Sequence, residues 1–161
     1  MRFISIVIAA AVALGSVAAT GQPRQVNEAS QAANADVVAA VSEFASAFAA
    51  LDKARFDRLW ASDATAFFPQ HPFPIRRVDG KAAVIEWFHR FMDARKGKPM
   101  TLDPKDLQIQ RFGDAAVATF HLGSSEQAAG RRTLVLRREA GAWKIVHLHA
   151  SSLTIPTAER G

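Results

Sequence analysis

The residues of this sequence best suited to chemistry lie near its C-terminal end. His147, His149 and Ser151 alternate within a segment whose polar and apolar residues repeat with a period of two. This alternation predicts a β-strand, on which alternate side chains project from the same face. The three side chains should therefore share one face with Trp143 and Ile145. They could anchor a small ligand, or the histidines could be structural and tie strand ends together by hydrogen bonds.

A His-x-His pair on one face of a strand could also bind zinc, because both imidazoles project in the same direction. Such a site needs a third ligand, for which His121 and His71 are available. In a plain meander another strand would separate His121 from His149 by roughly 10 Å, since neighbouring strands lie about 4.8 Å apart. The sequence therefore favours neither a metal nor a cofactor.

Arg132 is the most informative of the arginines. It alternates with Leu134 and Leu136, which predicts that all three share one face of a strand. An arginine at the entrance of an apolar stripe could bind a carboxylate through two parallel N–H donors. The alternative is a structural salt bridge to Asp63 or Glu86.

Missing residue types narrow the possible mechanisms. The chain has no Cys, which excludes disulfides, thiolate zinc sites and a cysteine nucleophile, and no Tyr, which excludes a phenol as acid or oxyanion donor. Asp79 precedes a predicted helix and is expected to cap it. Asp63 and His149 remain as a candidate acid–base pair. No phosphate loop, nucleophile elbow or other recognised catalytic motif is present.

Length and composition predict one globular domain behind a removable segment. A chain of 161 residues can bury one sizeable core. Arg2 is followed by an apolar run and then by small residues, the pattern of a secretory signal peptide, and the run is shorter than the ~20 residues of a transmembrane helix. We predict a signal peptide over 1–21, a flexible leader over 22–33, a domain over 34–154 and a C-terminal tail over 155–161. The mature protein should be soluble, periplasmic or extracellular, with no membrane span.

Nucleic acid is not expected as a partner. Without Arg2 the chain has 19 Lys and Arg against 15 Asp and Glu, a modest excess of positive charge. The basic residues form no lysine-rich run and do not alternate with aromatic residues, as they do in nucleic-acid-binding segments.

The elements that must position these residues are helices first and strands afterwards. Helical spacing of apolar residues predicts three helices, around 37–51, 56–60 and 80–96. The strands are predicted over 64–69, 107–112, 115–122, 132–138 and 143–152, with a loop over 123–130. This order indicates an α+β fold, with helices covering one face of a curved antiparallel sheet.

Several segments resemble one known family. Its second helix and first strand are similar to Phe56–Trp60 and Phe67–Pro69, and the start of its third helix is similar to Asp79–Lys81 with Trp87. The segments Gly130–Arg138 and Gly141–Ser151 are similar to the end of SnoaL-like proteins, and Gly141–Ser151 follows its G-x-W-x-I-x-H-x-H-x-S pattern. The residues from Asp36 to Thr154 are thus similar to the SnoaL-like branch of the nuclear transport factor 2-like superfamily.

The resemblance implies a cone, in which three N-terminal helices close over a strongly curved antiparallel sheet. In such a cone the core and the pocket wall are one surface, so some of the large rings should line the pocket. The rings expected there are Trp60, Phe68, Trp87 and Phe91. The last strand is central in this family, which implies that His149 and Ser151 point towards the cone or its lip, beside Arg132.

The family also implies a range of functions, since it includes polyketide cyclases, ketosteroid isomerases and dehydratases. The missing tyrosine favours binding, so we predict an exported small-molecule-binding protein with an apolar pocket and a His/Arg anchor. Its ligand would be a small apolar molecule with an acidic or carbonyl group, with His71 and His121 as further ligand-binding candidates. The alternatives are an isomerase, cyclase or dehydratase that uses Asp63 and His149, and an interaction domain with a vestigial pocket. The family further implies a homodimer formed through the outer face of the sheet.

Overall fold

A computed structural model of the chain describes residues 34–69, 73–125 and 128–154. The signal peptide, leader and tail expected over 1–21, 22–33 and 155–161 lie outside these residues, as does His71. In the described part of the chain, no helix has both the length and the apolar character needed to cross a bilayer.

The described chain forms three helices and a six-stranded sheet. The helices are α1 (Ala35–Ala49), α2 (Lys53–Asp57) and α3 (Lys81–Ala94). The strands are β1 (Trp60–Phe67), β2 (Val78–Asp79), β3 (Lys105–Phe112), β4 (Ala115–Ser125), β5 (Ala128–Glu139) and β6 (Ala142–Thr154). The predicted α+β class is confirmed, with an open, curled sheet.

The order of strands in the sheet is β2-β1-β6-β5-β4-β3. All neighbouring strands are antiparallel except β1 and β6, which pair in parallel. The sheet is therefore not the purely antiparallel one that the sequence predicts. Strand β6 lies in its interior, between β1 and β5, as the family resemblance implies.

The two long helices form because each presents an apolar stripe to the sheet. Along α1 the buried stripe includes Val37, Val41 and Phe44, at most 2% exposed, and along α3 it includes Val84 and Phe88. The helices pack their rings against one another, so the core between the helix layer and the sheet is largely aromatic.

Two details of the predicted helices are wrong. Helix α2 ends at Asp57, and Trp60 begins β1 instead of continuing the helix; Phe56 and Trp60 still share the core because their rings meet at 5.7 Å. Asp79 does not cap α3, since Gly80 occupies the cap position with a φ of 89°, which favours glycine. The Asp79 carboxylate instead accepts a hydrogen bond of 2.6 Å from Arg77 Nε.

The loop predicted over 123–130 is also wrong, because both neighbouring strands extend into it. Strand β4 continues to Ser125 and β5 begins at Ala128. The ladder between them continues through the pairs Leu122–Gly130 and Ser125–Ala128. Leu122 and Arg132, which flank this extension, line a cavity.

Candidate functional site

A cavity of about 220 Å³ lies between the helix layer and the inner face of the sheet. Its described lining is almost wholly apolar, and half of it is phenylalanine. The lining residues are Phe44, Phe48, Phe68, Pro69, Phe73, Phe88, Phe91, Leu122, Arg132, Leu148, Ala150 and Ser152. Ligand pockets of small molecules combine apolar walls with a few polar groups in this way.

The aromatic wall is assembled from four parts of the chain. Helix α1 contributes Phe44 and Phe48, four residues apart, and α3 contributes Phe88 and Phe91, three apart, because these spacings place side chains on one helix face. Phe68, which follows β1, stacks on Phe73 with ring centres 4.5 Å apart and planes at 9°. Phe73 also contacts Phe91 at 5.8 Å, and Phe48 contacts Phe88 at 5.2 Å.

Arg132 is the one charged side chain in the described lining. It projects inward from β5 with the buried Leu134 and Leu136, as the alternation predicts. Its Nη1 donates to the backbone oxygens of Arg131 at 2.8 Å and Ser151 at 3.1 Å. Its Nε and Nη2 have no hydrogen-bond partner among the described residues, which leaves one two-donor edge of the guanidinium available.

No carboxylate in the described part of the chain pairs with Arg132, so the alternative of a salt bridge to Asp63 or Glu86 is wrong. Burial lowers the pKa of the Arg132 guanidinium below its ordinary value. An arginine remains protonated at neutral pH even so. The cavity therefore has a fixed positive charge on its sheet side.

Gly130 makes room for this guanidinium. A Cβ at Gly130 would lie 3.1 Å from Nη1 and 3.2 Å from Nη2 of Arg132, and 2.7 Å from the backbone oxygen of Leu122. Gly130 precedes Arg132 by two residues and so lies on the same strand face. A side chain at this position would crowd the guanidinium and clash with the Leu122 backbone oxygen.

A β-bulge in β6 reverses the expected orientation of the histidines. The register pairs Leu136 with Ile145 but Val135 with His147, so Val146 is an extra residue in β6. Beyond it, Leu148 and Ala150 face inward and are at most 5% exposed. The prediction that His147 and His149 share a face with Ile145 is therefore wrong.

Both histidines lie on the outer face of the sheet. His147 is half-buried, with Nδ1 2.7 Å from Thr65 Oγ1, and its burial, with His149 and Arg77 nearby, lowers the pKa of its imidazole. His149 is exposed, and its ring lies 5.8 Å from that of Phe67. The expectation that His149 anchors a ligand inside the cone does not fit this position.

The other predicted polar site residues also lie apart from the cavity. The Asp63 carboxylate accepts hydrogen bonds from Arg137 Nη1 at 3.1 Å and Nη2 at 2.9 Å, which lowers its pKa. It is therefore engaged with Arg137 and not with His149, so the structure does not assemble the expected acid–base pair.

His121 and Ser151 also lie apart from the cavity lining. The His121 side chain is exposed, with Nδ1 3.3 Å from the Asp106 carboxylate. Ser151 reaches the site only through its backbone oxygen, which accepts from Arg132.

Two of the four predicted rings line the cavity, namely Phe68 and Phe91. Trp60 lies behind the lining, 2% exposed, with its ring 6.4 Å from Phe44 and 5.5 Å from Phe88. The Trp60 indole N–H has no acceptor among the described residues. Trp87 is half-buried and not part of the described lining; its ring lies 6.3 Å from that of Phe73, and Arg90 lies 4.9 Å above it.

No group of three metal-ligating side chains forms within residues 34–69, 73–125 and 128–154. Nor does the described lining of the cavity include a carboxylate or an imidazole. The described arrangement is thus equipped to hold an anion beside apolar surface. It does not present a pair of groups that could exchange protons with a ligand.

Part of the cavity lining was not recognised from the sequence. Phe44, Phe48 and Phe88 stand in helical stripes that predict core, and only the cavity distinguishes their pocket-facing edges. Gly130 was detectable, because a glycine two residues before an inward arginine is on the same strand face and can accommodate it. Ser152, exposed at the rim, lay beyond the bulge that the alternation does not reveal.

Comparisons with known proteins agree on one family. A family model described as a SnoaL-like domain matches residues 37–156. No curated protein matches the chain.

Solved structures from bacteria share the fold. A nuclear transport factor 2-like protein of unknown function from Pseudomonas putida KT2440 is 24% identical, with a TM-score of 0.64 over 75% of this chain and 87% of that one. A candidate dehydratase of the same family from Streptomyces avermitilis is 19% identical, with a TM-score of 0.65 over 80% and 99%. A candidate calcium/calmodulin-dependent protein kinase type II association domain from Thiobacillus denitrificans ATCC 25259 is 27% identical, with a TM-score of 0.59 over 73% and 94%.

The family match spans most of the chain, and the structural neighbours share its helix layer and curled sheet. The predicted resemblance is therefore confirmed. The chain belongs to the SnoaL-like domain family, and it shares the fold of the nuclear transport factor 2-like structures.

Proposed function

We propose that this protein binds a small, mainly apolar molecule that carries an acidic group. The observation that carries the proposal is the Nε–Nη2 edge of Arg132, which has no partner among the described residues and lies beside a mainly apolar cavity. A guanidinium in that position is stabilised by an anion, because burying an uncompensated charge is costly. A carboxylate can accept both N–H groups of the edge at once.

The apolar body of the ligand would lie against the phenylalanine wall. Phe44 and Phe88 are 2% and 4% exposed, so they form the deep part of the cavity. Ser152, exposed and paired in register with Gly130, belongs to its rim. A ligand would therefore insert its apolar end first and leave its acidic group beside Arg132, nearer to solvent.

Binding is favoured over catalysis by the chemistry of the described lining. Among the structural neighbours is a candidate ketosteroid isomerase from Parabacteroides distasonis, 22% identical, and likeness at this level supports a common fold only. An isomerase, cyclase or dehydratase needs a group that moves a proton. The positions of Asp63 and His149 outside the cavity support a binding role instead.

We also propose that the protein is exported and forms a homodimer. The signal-like pattern over 1–21 supports export. The half-buried Val135 and Val146 on the outer face of the sheet, which the helix layer does not cover, support a second copy packed there.

The binding proposal is tested by calorimetric titration of the full-length protein with organic acids, using the variant Arg132→Gln. Loss of one charge-assisted hydrogen bond is worth about 1.5–3 kcal/mol, so affinity should fall roughly tenfold or more. Arg131→Gln is the matched control, because Arg131 is the preceding residue and its exposed side chain points to the other face. Equal affinity of the wild type and a folded Arg132→Gln variant would refute the proposal.

A further inference from the structure

We infer that the ligand is a monocarboxylate built on a single ring, of the size of benzoate or phenylacetate. This inference rests on the proposed function and deepens it by stating size, ring type and charge. Each of these three properties follows from a different feature of the cavity.

The size follows from the cavity volume. An apolar cavity of about 150 Å³ is known to accommodate one benzene ring. The cavity here is about 220 Å³. The difference is about the share of two water molecules in the liquid, at roughly 30 Å³ each. That space suits a carboxylate with at most a short linker, so one ring with one carboxylate fills the cavity.

The ring type follows from the geometry of the wall. The lining rings of Phe48 and Phe88 meet at 87° and those of Phe68 and Phe73 stack at 9°, so the wall is built from both edge-to-face and stacked contacts that a ligand ring can extend. Aromatic rings gain from such edge-to-face and stacked contacts beyond the area that they bury. A flat aromatic ring should therefore bind more tightly than a saturated ring of similar size.

The charge follows from the count of donors. Arg132 is the single cation of the described lining, and its Nη1 is already engaged by two backbone oxygens. The remaining Nε–Nη2 edge matches one carboxylate. A second carboxylate on the ligand would face phenylalanine without a partner, which disfavours dicarboxylates.

The experiment is a calorimetric titration of the full-length protein with matched compounds. Benzoate and phenylacetate represent the inferred class. Cyclohexanecarboxylate tests aromaticity and 2-naphthoate tests size. Terephthalate tests charge number, because its second carboxylate is at the opposite end of the ring, and benzyl alcohol tests the need for an anion. We expect one of the first two to bind best, with the other classes each at least threefold weaker and benzyl alcohol at least tenfold weaker.

The outcomes separate the two proposals. If 2-naphthoate or cyclohexanecarboxylate binds as tightly as the single-ring aromatic acids and binding still depends on Arg132, the inference on size or ring type is overturned while the proposed function stands. If benzyl alcohol matches benzoate, or if no acid in the series binds, the proposed function itself fails.

A variant provides a second, independent readout. Phe91→Ala removes a half-buried ring from the lining and enlarges the cavity, so it should raise the affinity for 2-naphthoate relative to benzoate by fivefold or more. Phe112→Ala is the control, since Phe112 is 64% exposed and lies outside the lining. An unchanged ratio in a folded Phe91→Ala protein would overturn the inferred size limit, and the titrations of the wild type decide the matter if this variant does not fold.

Discussion

At the scale of single residues, Arg132 and His147 show how the surroundings of a side chain determine its role. Arg132 is inward because it alternates with Leu134 and Leu136, and it is half-buried because Gly130 leaves space beside its strand. His147 was expected to share a face with Ile145, yet one extra residue places it on the outer face beside Thr65. Judged by residue type alone, His147 would be the better candidate for a ligand anchor. Judged by position, Arg132 is the better candidate, because it lines the cavity and His147 does not.

The lowered pKa of His147 predicts how stability depends on pH. In the folded state burial, His149 and Arg77 disfavour the imidazolium, so the unfolded chain binds a proton more readily. The free energy of unfolding is therefore not reduced at pH values well above the unfolded-state pKa of about 6.5, and it decreases as the pH falls below that value. The melting temperature should drop between pH 7.5 and pH 5.5, a range above the titration of the carboxylates with lowered pKa.

The variant His147→Gln should reduce this drop, because glutamine keeps a hydrogen-bonding group near Thr65 and does not titrate. His121→Gln, at an exposed histidine on the same sheet, is the control. Equal pH dependence in the wild type and His147→Gln would show that His147 is not the responsible group.

At the scale of elements, the helices could be predicted more fully than the strands. Helices α1 and α3 repeat their apolar residues over several turns. A helix is therefore still predicted when one residue departs from the pattern. The strands depend on strict alternation, so the single insertion at Val146 exchanges the faces assigned to every later residue of β6. Nothing in the sequence around Val146 marks where that insertion lies, so the residues that β6 contributes to the candidate site could not be predicted.

Asp36 connects helix α1 to the sheet, and we predict that its loss weakens the whole fold. Its carboxylate accepts from Trp143 Nε1 at 2.9 Å, Arg111 Nη1 at 3.1 Å and the backbone N–H of Val37 at 2.9 Å, which lowers its pKa. Asp36→Ala should lower the free energy of unfolding by about 1–3 kcal/mol, measured by urea denaturation at pH 7.

Asp93→Ala is the matched control for this prediction. Asp93 lies in the last turn of α3 and pairs with Lys53, and its side chain is 69% exposed, so its loss should have little effect. The difference between the two variants should vanish as the pH falls below the folded-state pKa of Asp36, since a lowered carboxyl pKa contributes stability only above it. Equal destabilisation of both variants at pH 7 would contradict the proposed link.

At the scale of the whole molecule, the predicted α+β fold with its helix layer over one face of a curled sheet is confirmed. The order of helices and strands along the sequence was sufficient to predict this fold class. The parallel pairing of β1 with β6 was not predictable from local pattern, because it joins residues about 80 positions apart in sequence, such as Thr65 and His147. Periodicity describes one segment at a time and contains no information about such partners.

The homodimer is a prediction at this scale. Leu134, Leu136 and Leu148 lie inside the fold and are not available for an interface. The half-buried Val135 and its neighbours lie on the outer face of the sheet, where we expect the second copy to pack. Val135→Glu should place a charge in the interface and shift a dimer to monomer, as measured by multi-angle light scattering at micromolar concentration. Ile75→Glu, at a fully exposed residue outside the sheet, is the control. A monomeric wild type would refute the prediction.

The interior position of β6 has a consequence for the kinetics of folding. Strand β6 joins β1 and β2 to the ladder of β3, β4 and β5, so the two parts of the sheet stay separate until residues 142–154 are present. No shorter N-terminal portion of the chain can complete the inner wall on which α1 packs. Because the contacts between β1 and β6 are distant in sequence, they carry a large entropic cost of loop closure and should form late. A chain growing from the ribosome therefore reaches its folded state after synthesis of β6, in one cooperative final step.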